Sequence, residues 1–341
     1  MRIAQVSTLS APLGRQSVGS VESLVWLLTR ELTRLGHEVT VFGCAGSECD
    51  GRLVTTLSGP YGANGTFDDW QLCEWVNLSQ AVARSQEFDV MQTHAYLWGM
   101  PLSPLARAPL VHTLHIVPDD NLGLLWRLHR DAHVVALSQH QWSAFPDLTP
   151  AAIIPHGVDT EEFSFREKPD DYLLYFGRFV SGKGPLHAVA TAKALGCRLV
   201  LAGPENAYFR DKVRPHVDDR QVDYAGFVTG AARARLLGGA KALLYPLQHP
   251  EAFGLVLVEA MLCGTPVAAV RLGAVPEIVD EGVTGVTSDG IPGLVEAARQ
   301  ALTLDRRQVR ARAESRFSAA QMARRYAQLY EQILLPEKPR A

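Results

Sequence analysis

The clearest chemical signal in the sequence is a pair of glutamates, Glu251 and Glu259, separated by seven small or apolar residues. Gly254 is typical of a turn, and the apolar run 255–263 predicts a buried helix that ends at Gly264. Glu251 then lies just before the helix N-terminus and Glu259 about a turn and a half inside it. Because a helix N-terminus attracts anions, the two carboxylates flank a position suited to a phosphate group. Glu259 is able to accept hydrogen bonds from hydroxyl groups there.

A second candidate cluster is the glycine-rich stretch 177–184, which carries Arg178 and Lys183. Only six of the 33 basic residues are lysines, which makes a lysine inside a glycine-rich loop noteworthy. Arg178 offers a bidentate fork and Lys183 a mobile point charge, so together they are able to balance a diphosphate without a metal ion. The alternative is a loop lysine that faces only solvent.

The acidic pairs of the sequence do not have the pattern of a metal site. Asp68-Asp69, Asp119-Asp120 and Asp218-Asp219 fall in loop-like stretches, and no Asp-x-Asp follows a predicted strand. We interpret these pairs as solvated turns and expect no metal ion in the site.

Composition narrows the class of protein. The 341 residues are enough for two domains, and a net charge of −3 gives no reason to expect a nucleic-acid partner. Five cysteines without a Cys-x2-Cys pair argue against a zinc site and a disulfide framework. We expect a cytoplasmic protein without a transmembrane segment, because no leader-like or long apolar stretch occurs. The helix predicted over 318–335 carries too few cations to favour a membrane surface strongly, so peripheral membrane contact stays a weak alternative.

Strand-like and helix-like segments alternate along the chain, which predicts parallel sheets of the doubly wound α/β type. An amphipathic helix over 20–35 separates the first two strands. The pattern restarts after the Pro-rich, polar stretch 146–171, which predicts a linker between two halves with a ligand site in the cleft between them. The predicted strands are 3–6, 39–42, 90–93, 110–114, 134–137, 172–176, 199–202, 221–224, 242–245 and 267–270.

Three collinear motifs resemble the retaining, nucleotide-sugar-dependent glycosyltransferases of family four. They are the Glu-x7-Glu segment from Pro250, the Gly-Arg…Lys-Gly loop from Gly177, and Pro155-His156-Gly157-Val158-Asp159 with Phe163. The layout around 172–178, 201–204 and 224–226 is most similar to the avilamycin glycosyltransferase-like branch. The resemblance implies the GT-B fold, with an acceptor-side domain over 1–158, a donor-binding domain over 159–317, and helix 318–335 packing back on the first domain.

The resemblance also implies roles for individual residues. His94 and His115 follow predicted strands and join Glu251, Arg178 and Lys183 as candidate catalytic residues. His112, on the opposite face of its strand, is expected to be structural. The implied donor-binding residues are Gly19, Ser20, Gly177, Arg178, Lys183, Gly203, Val228, Glu251, Ala252, Phe253, Gly254, Leu255 and Glu259.

Two positions depart from the family pattern. Ser20 stands where family members have a second glycine before Glu22, and its hydroxyl is a candidate phosphate donor or helix N-cap. His156 replaces the usual asparagine, and a hinge or an acceptor contact is its candidate role. For Glu251 three interpretations stay open: a contact to the donor sugar, a covalent nucleophile, or a carboxylate that caps the helix.

The expected function is metal-independent transfer of a hexose from a nucleoside diphosphate sugar, by default UDP-glucose, to a hydroxyl acceptor with retained configuration. No cofactor is expected besides the UDP- or GDP-sugar co-substrate. A nucleotide-sugar epimerase of the same fold would use the donor pocket without an acceptor. A non-catalytic sugar-nucleotide-binding subunit is the third alternative, and the complete set of charged residues argues against it.

Overall fold

The computed structural model describes residues 1–15, 17, 19–62 and 68–335. It divides into two compact units. Unit 1 comprises Met1–Gly157 and the segment from Ala319 onward, and unit 2 comprises Val158–Ser318. Each unit is built on its own parallel sheet, as the alternating sequence pattern predicts.

The sheet of unit 1 has seven strands in the described part of the chain, in the order β3-β2-β1-β4-β5-β6-β7. Strands β2 and β3 are added on one side of β1, and β4 to β7 are added on its other side. The direction of strand addition therefore reverses between β1 and β4. The strands are β1 (Arg2–Val6), β2 (Glu38–Cys44), β3 (Arg52–Leu57), β4 (Val90–Thr93), β5 (Leu110–Thr113), β6 (His133–Ala136) and β7 (Ala152–Ile153).

The sheet of unit 2 has six described strands in the order β10-β9-β8-β11-β12-β13, with the reversal between β8 and β11. Four of its strands are buried along their whole length and consist of apolar residues, which is typical of a sheet covered on both faces. The strands are β8 (Leu173–Phe176), β9 (Leu199–Ala202), β10 (Val222–Tyr224), β11 (Leu243–Tyr245), β12 (Val267–Val270) and β13 (Gly285–Ser288).

Helices connect the strands and cover the sheets. They are α1 (Ser20–Arg34), α2 (Trp70–Ala83), α3 (Asp120–Leu128), α4 (Gln139–Trp142), α5 (Pro185–Leu195), α6 (Gly230–Gly239), α7 (Leu255–Leu262), α8 (Val275–Ile278), α9 (Leu294–Ala301), α10 (Arg306–Phe317) and α11 (Ala319–Leu334). Helix α11 belongs to unit 1, where Tyr326 and Tyr330 share a buried apolar cluster with Leu28 and Leu32 of α1.

The acidic pairs that the sequence suggested as solvated turns have defined structural roles. Asp69 is the N-cap of α2 and accepts from the backbone N–H of Gln71 at 2.9 Å. Asp119 caps α3 in the same way. The Asp218 carboxylate accepts three backbone N–H bonds, which lower its pKa to about 2. These carboxylates satisfy backbone donors that would otherwise lack partners.

The stretch 146–171, interpreted as the linker, contains the boundary between the two units after Gly157 and is folded in part. Ala152–Ile153 adds strand β7 beside β6, and His156 and Phe163 are buried. Strands β3 and β13 were also absent from the expectations, because neither is a continuous apolar run.

Candidate active site

The candidate catalytic residues of unit 2 lie where its strand order reverses. Arg178 and Lys183 follow strand β8, and Glu251 follows the neighbouring strand β11. In open parallel sheets, ligands bind beyond the carboxyl ends of the strands at this topological switch point. The fold therefore places three charged residues, up to 73 positions apart in the sequence, after two neighbouring strands.

Lys183 and Glu251 form an ion pair in which Nζ contacts Oε1. Both side chains are mostly buried, at 18% and 28% exposure, and the ammonium lies 6.0 Å from the ring centre of Tyr245. The second carboxylate oxygen of Glu251, Oε2, is buried and has no hydrogen-bond partner among the described residues. Such an unpaired buried oxygen is an acceptor that an incoming hydroxyl group would satisfy.

The loop that carries Lys183 depends on Gly184, whose φ is +67°. A Cβ added at Gly184 would lie 2.1 Å from the carbonyl oxygen of Pro246, so no side chain fits between this loop and the segment after β11. The close approach of the two segments holds Lys183 near Glu251.

Arg178 differs from Lys183 because it is exposed and has no ion pair or side-chain hydrogen bond within the described chain. Its backbone carbonyl accepts from the Tyr175 hydroxyl at 2.8 Å, which fixes the start of the loop. Gly177 and Gly203 pack tightly beside it. A Cβ on Gly203, where φ is +156°, would lie 2.0 Å from the Gly177 carbonyl oxygen.

Glu251 does not cap helix α7. The N-cap is Gly254, with φ +98° and no side-chain cap bond, so the interpretation of Glu251 as a capping carboxylate is wrong. Ala252 and Phe253 are buried between these two positions, and Leu255 is the first residue of the helix.

The backbone of Glu251 is held by a second turn that follows strand β12. The N–H of Ala274 donates to the carbonyl of Glu251 at 3.0 Å. Gly273 has φ +62°, and a Cβ there would lie 2.4 Å from the Glu251 nitrogen, so this turn requires glycine.

Glu259 has a partner that the sequence did not suggest, Arg233 of helix α6. Its side chain is only 8% exposed, and its Oε2 accepts from Arg233 Nη2. Burial raises the pKa of Glu259, and the Arg233 charge opposes that rise. The guanidinium also lies 5.0 Å from the ring centre of Phe176 at the end of β8. This contact places the pair beside the carboxyl edge of the sheet.

Val228, another expected donor contact, lines a separate cavity of about 350 Å³ that Asp170 and Tyr172 also line. Tyr172 comes just before strand β8, whereas Lys183 and Glu251 follow the strands. The structure thus groups Val228 with different residues from those of the Lys183–Glu251 pair.

Unit 1 contains a cavity of about 360 Å³ at its own switch point. Thr8 and Ser10 line it from the segment after β1, His94 from the segment after β4, and His115 from the segment after β5. The two histidines that the sequence singled out therefore meet in one cavity.

A hydrogen-bond chain fixes the tautomers of both histidines. Gln5 Nε2 donates to Gln92 Oε1 at 3.0 Å, which leaves Gln5 Oε1 to accept from His94 Nε2 at 2.9 Å. His94 Nδ1 then accepts from His115 Nε2 at 3.0 Å, so His115 Nδ1 is left as an acceptor. Burial lowers the pKa of His94 well below its ordinary value and that of His115 to about 4. Both rings are uncharged at neutral pH.

Two further histidines lie in unit 1: His112 has a structural role, and His156 packs on His115. His112 is buried and its Nε2 lies 2.9 Å from the Ser103 hydroxyl, in agreement with a structural role. His156 is buried with its ring 5.3 Å from that of His115, in a stacked arrangement. The departure from the family pattern at position 156 therefore changes the surroundings of a candidate catalytic histidine.

The start of helix α1 also differs from expectation. Gly19 is the N-cap and Ser20 is the first helical residue, so the proposed capping role of Ser20 is wrong. The Glu22 carboxylate is buried and accepts from the Ser10 N–H and the Thr8 hydroxyl, each at 2.8 Å. A Cβ on Gly19 would lie 2.0 Å from Glu22 Oε2, so the loop closes tightly over this carboxylate.

The described residues offer neither a metal centre nor a membrane span. Among the described residues no three His, Cys, Asp or Glu side chains are grouped so as to hold a metal ion. None of the described helices combines the length and apolar character that crossing a bilayer requires.

Two family models match successive parts of the chain. Residues 21–162 match the model described as Glycosyltransferase Family 4, and residues 158–316 match Glycosyl transferases group 1. The D-inositol 3-phosphate glycosyltransferase of Mycolicibacterium smegmatis is 28% identical over 354 residues, covering 85% of this chain and 80% of the relative.

Solved structures resemble the whole chain. AviGT4, a glycosyltransferase involved in avilamycin A biosynthesis, is 25% identical with a TM-score of 0.72, and 98% of each chain is covered. Anabaena HepE in complex with UDP-glucose is 20% identical with a TM-score of 0.68, covering 97% of this chain and 100% of that chain.

Proposed function

Because this chain belongs to the glycosyltransferases with the GT-B fold, we propose that it transfers a hexose from a nucleoside diphosphate sugar to a hydroxyl group. We propose UDP-glucose as the donor, retention of the anomeric configuration, and catalysis without a metal ion. The Anabaena neighbour that was solved with UDP-glucose supports this donor as the first to test.

The observation that carries the proposal is the charge arrangement at the switch point of unit 2. Arg178 is an exposed guanidinium without a partner among the described residues, and Lys183 is paired only with Glu251. A diphosphate would give Arg178 a bidentate partner and would compete with Glu251 for the Lys183 ammonium. The two cations would then stabilise the negative charge that grows on the leaving group as the glycosidic bond breaks.

Glu251 has a role in this proposal once the donor is bound. When the phosphate takes over Lys183, both carboxylate oxygens of Glu251 become acceptors for hydroxyl groups of the donor sugar. The N–H groups at the start of α7, next to Gly254, supply further donors to the phosphate. In this assignment Glu251 positions the sugar and does not form a covalent bond to it.

Glu259 is the proposed ribose contact. Arg233 occupies its Oε2, whereas Oε1 has no hydrogen bond within the described residues. A ribose hydroxyl group would donate to this free oxygen, and the Arg233 guanidinium opposes the rise in the pKa of Glu259 that burial causes.

Donor binding is the first experiment. Isothermal titration with UDP-glucose, UDP and GDP-glucose should show binding of the uridine ligands, and Lys183→Met should weaken it at least tenfold. Lys193→Met is the matched control, because Lys193 is exposed on the following helix without an ion pair in the described chain. Equal affinity in both variants would remove Lys183 from the proposed site.

Activity is the second experiment. Release of UDP from UDP-glucose should require an acceptor, and Lys183→Met or Arg178→Ala should lower turnover at least a hundredfold, in line with losses of about 10²–10³ on removing one such donor. Proton NMR of the product should show the donor's anomeric configuration, and chelation with EDTA should leave the rate unchanged. Conversion of the donor sugar without any acceptor would instead favour the epimerase.

A further inference from the structure

The cavity of unit 1 has a charge character opposite to that of the Lys183–Glu251 site. Its lining includes two glutamates, Glu22 and Glu74, and two uncharged histidines, His94 and His115, but no Lys or Arg among the described residues.

Helices α1 and α2 both begin at this cavity, and each N-terminus, which would attract an anion, already carries a carboxylate of its own, Glu22 in α1 and the N-cap Asp69 in α2. Glu22 lies in the first turn of α1, where a carboxylate balances the helix dipole. Its Oε2 lies directly beneath Gly19, the N-cap. A phosphate group entering here would meet a buried carboxylate and not a free set of N–H groups.

Glu74 is the unexplained buried group of this cavity. It lies on helix α2 with only 2% of its surface exposed, and its Oε1 accepts from the Leu9 N–H at 2.9 Å. Its Oε2 has no partner among the described residues. Burial and the nearby Glu22 raise the pKa of Glu74 to about 8, so at neutral pH the side chain is a carboxylic acid with a free O–H donor.

Aromatic rings form another wall of the cavity. Trp70 and Tyr96 both line it, with ring centres 5.4 Å apart, and Trp98 stacks on Tyr96 at 4.8 Å. Trp70 is 37% exposed. Tyr96 has φ +32°, an unfavourable conformation for a residue with a side chain, and such strain is concentrated at functional sites. A flat apolar surface next to hydrogen-bonding groups suits a ring that has C–H bonds on its face and hydroxyls at its edge.

We propose that this cavity binds the acceptor, and that the acceptor is an uncharged polyhydroxylated ring, a sugar or cyclic polyol without a phosphate group. The ring lies against Trp70 and Tyr96 and takes a hydrogen bond from Glu74. A cavity of about 360 Å³ falls within the range of small-molecule sites. This assignment rests on the proposed function, since it names the substrate class for the same reaction.

Matched acceptor pairs provide the main test. UDP release at saturating UDP-glucose would be measured with glucose against glucose 6-phosphate and with myo-inositol against its monophosphate. We expect the neutral member of at least one pair to have a kcat/KM at least 30-fold above that of its phosphate ester. Equal or better use of the esters would overturn the inference while leaving the proposed function intact. Absence of UDP-glucose binding would instead count against the proposed function.

Ligand-observed NMR with the same compounds measures binding without turnover. Saturation transfer should be seen to the neutral rings and not to their phosphate esters. If the protein binds UDP-glucose normally but no neutral ring, the inference is wrong.

Substitutions assign the roles inside the cavity. Trp70→Leu should raise the KM of the best neutral acceptor at least fivefold without changing that of UDP-glucose. Trp75→Leu is the control, because Trp75 is on the same helix and similarly exposed, at 40%, but does not line the cavity. An equal effect of both substitutions would mean that general apolar surface, and not the proposed stacking, is responsible.

Glu74 is tested as a positioning residue through pH. The titratable groups that share its cavity are Glu22, Tyr61, His94, Tyr96 and His115.

With Glu74→Leu the acceptor KM should rise roughly tenfold, consistent with loss of one hydrogen bond, whereas Glu74→Gln keeps an N–H donor and should restore most of the affinity. In the wild type the acceptor KM should rise as the pH passes about 8, and in Glu74→Gln it should stay flat. A parallel rise in both would overturn the role of Glu74. The pH comparison remains informative even if Glu74→Leu does not fold.

Discussion

Replacing Arg233 with alanine would leave the carboxylate of Glu259 buried without its partner, and the size of the loss follows from the geometry. The Glu259 side chain is 8% exposed and the Arg233 side chain 30%. Removing one partner of a buried pair destabilises by about 3–5 kcal/mol, and the partial exposure of Arg233 places the expectation near the lower end. The lost contact with the Phe176 ring, about 0.5–1 kcal/mol, belongs to the same total. A loss of about 3 kcal/mol lowers the melting temperature of a unit of this size by about 6–12 °C.

The destabilisation caused by Arg233→Ala should also depend on pH, in a direction that follows from the pKa of Glu259. Burial raises the pKa of Glu259, and Arg233 opposes the rise, so in Arg233→Ala the pKa rises further. A carboxyl group with a raised folded-state pKa binds protons more tightly in the folded than in the unfolded protein. Its contribution to stability is therefore present at low pH and is lost as the pH rises. The destabilisation caused by Arg233→Ala should be smaller at pH 5 than at pH 8.

Urea and thermal unfolding at pH 5, 6.5 and 8 measure both effects. Arg235→Ala is the control, because Arg235 lies on the same helix but is exposed, and it should change stability by less than about 0.5 kcal/mol. Adding Glu259→Gln to Arg233→Ala should recover part of the lost stability at pH 8, because the amide is uncharged and leaves no unpaired charge buried. The reasoning is refuted if Arg233→Ala costs less than about 1 kcal/mol at pH 8 or if the loss does not diminish in acid.

Three further predictions concern the backbone and the buried titratable groups. Gly184→Ala should lower the melting temperature well below that of Gly196→Ala, because both glycines have φ near +65° but only at Gly184 would the Cβ meet the Pro246 carbonyl; similar losses would contradict this. The free energy of unfolding should fall between pH 6.5 and 4, by up to about 3 kcal/mol from His115, because the unfolded chain protonates first; urea titrations of His115→Gln should show a shallower decrease. Glu74 acts in the opposite direction and loses its contribution as the pH rises from about 4.5 to 8, so Glu74→Gln should flatten the alkaline side, and an unchanged profile would argue against a buried acid.

Much of the fold was predictable because its strands are buried on both faces. Strands β9 and β12 are continuous apolar runs, and their predicted bounds coincide with the observed ones. The sequence also predicted that Lys183 and Glu251 belong to one site, since each follows a predicted strand, but it did not predict their ion pair. The structure adds that these two strands are neighbours at the reversal of strand order, which local patterns do not specify.

The sequence did not predict a role for Arg233 or Glu74, and the physical reasons differ between the two. Helix α6, which carries Arg233, begins and ends with glycines and has little apolar pattern, so nothing in its sequence indicates which side faces α7. For Glu74 the sequence does contain an indication of burial. It is spaced four residues from Leu78 and seven from Ala81, both buried, which places a carboxyl group on the apolar face of α2. A charged residue on such a face indicates either a partner or a shifted pKa.

The two proposed sites share one architecture, although we propose ligands of different charge for them. In each, side chains that follow the two strands at the reversal point line the site, so position alone does not decide what binds. Unit 2 places Arg178 and Lys183 there, and fixed cations favour a diphosphate. Unit 1 places a protonated carboxyl group at Glu74 and an uncharged imidazole at His115, which exchange hydrogen bonds with hydroxyl groups without favouring an anion. Burial keeps Glu74 and His115 uncharged at neutral pH, and this is why we expect the two sites to take substrates of different charge.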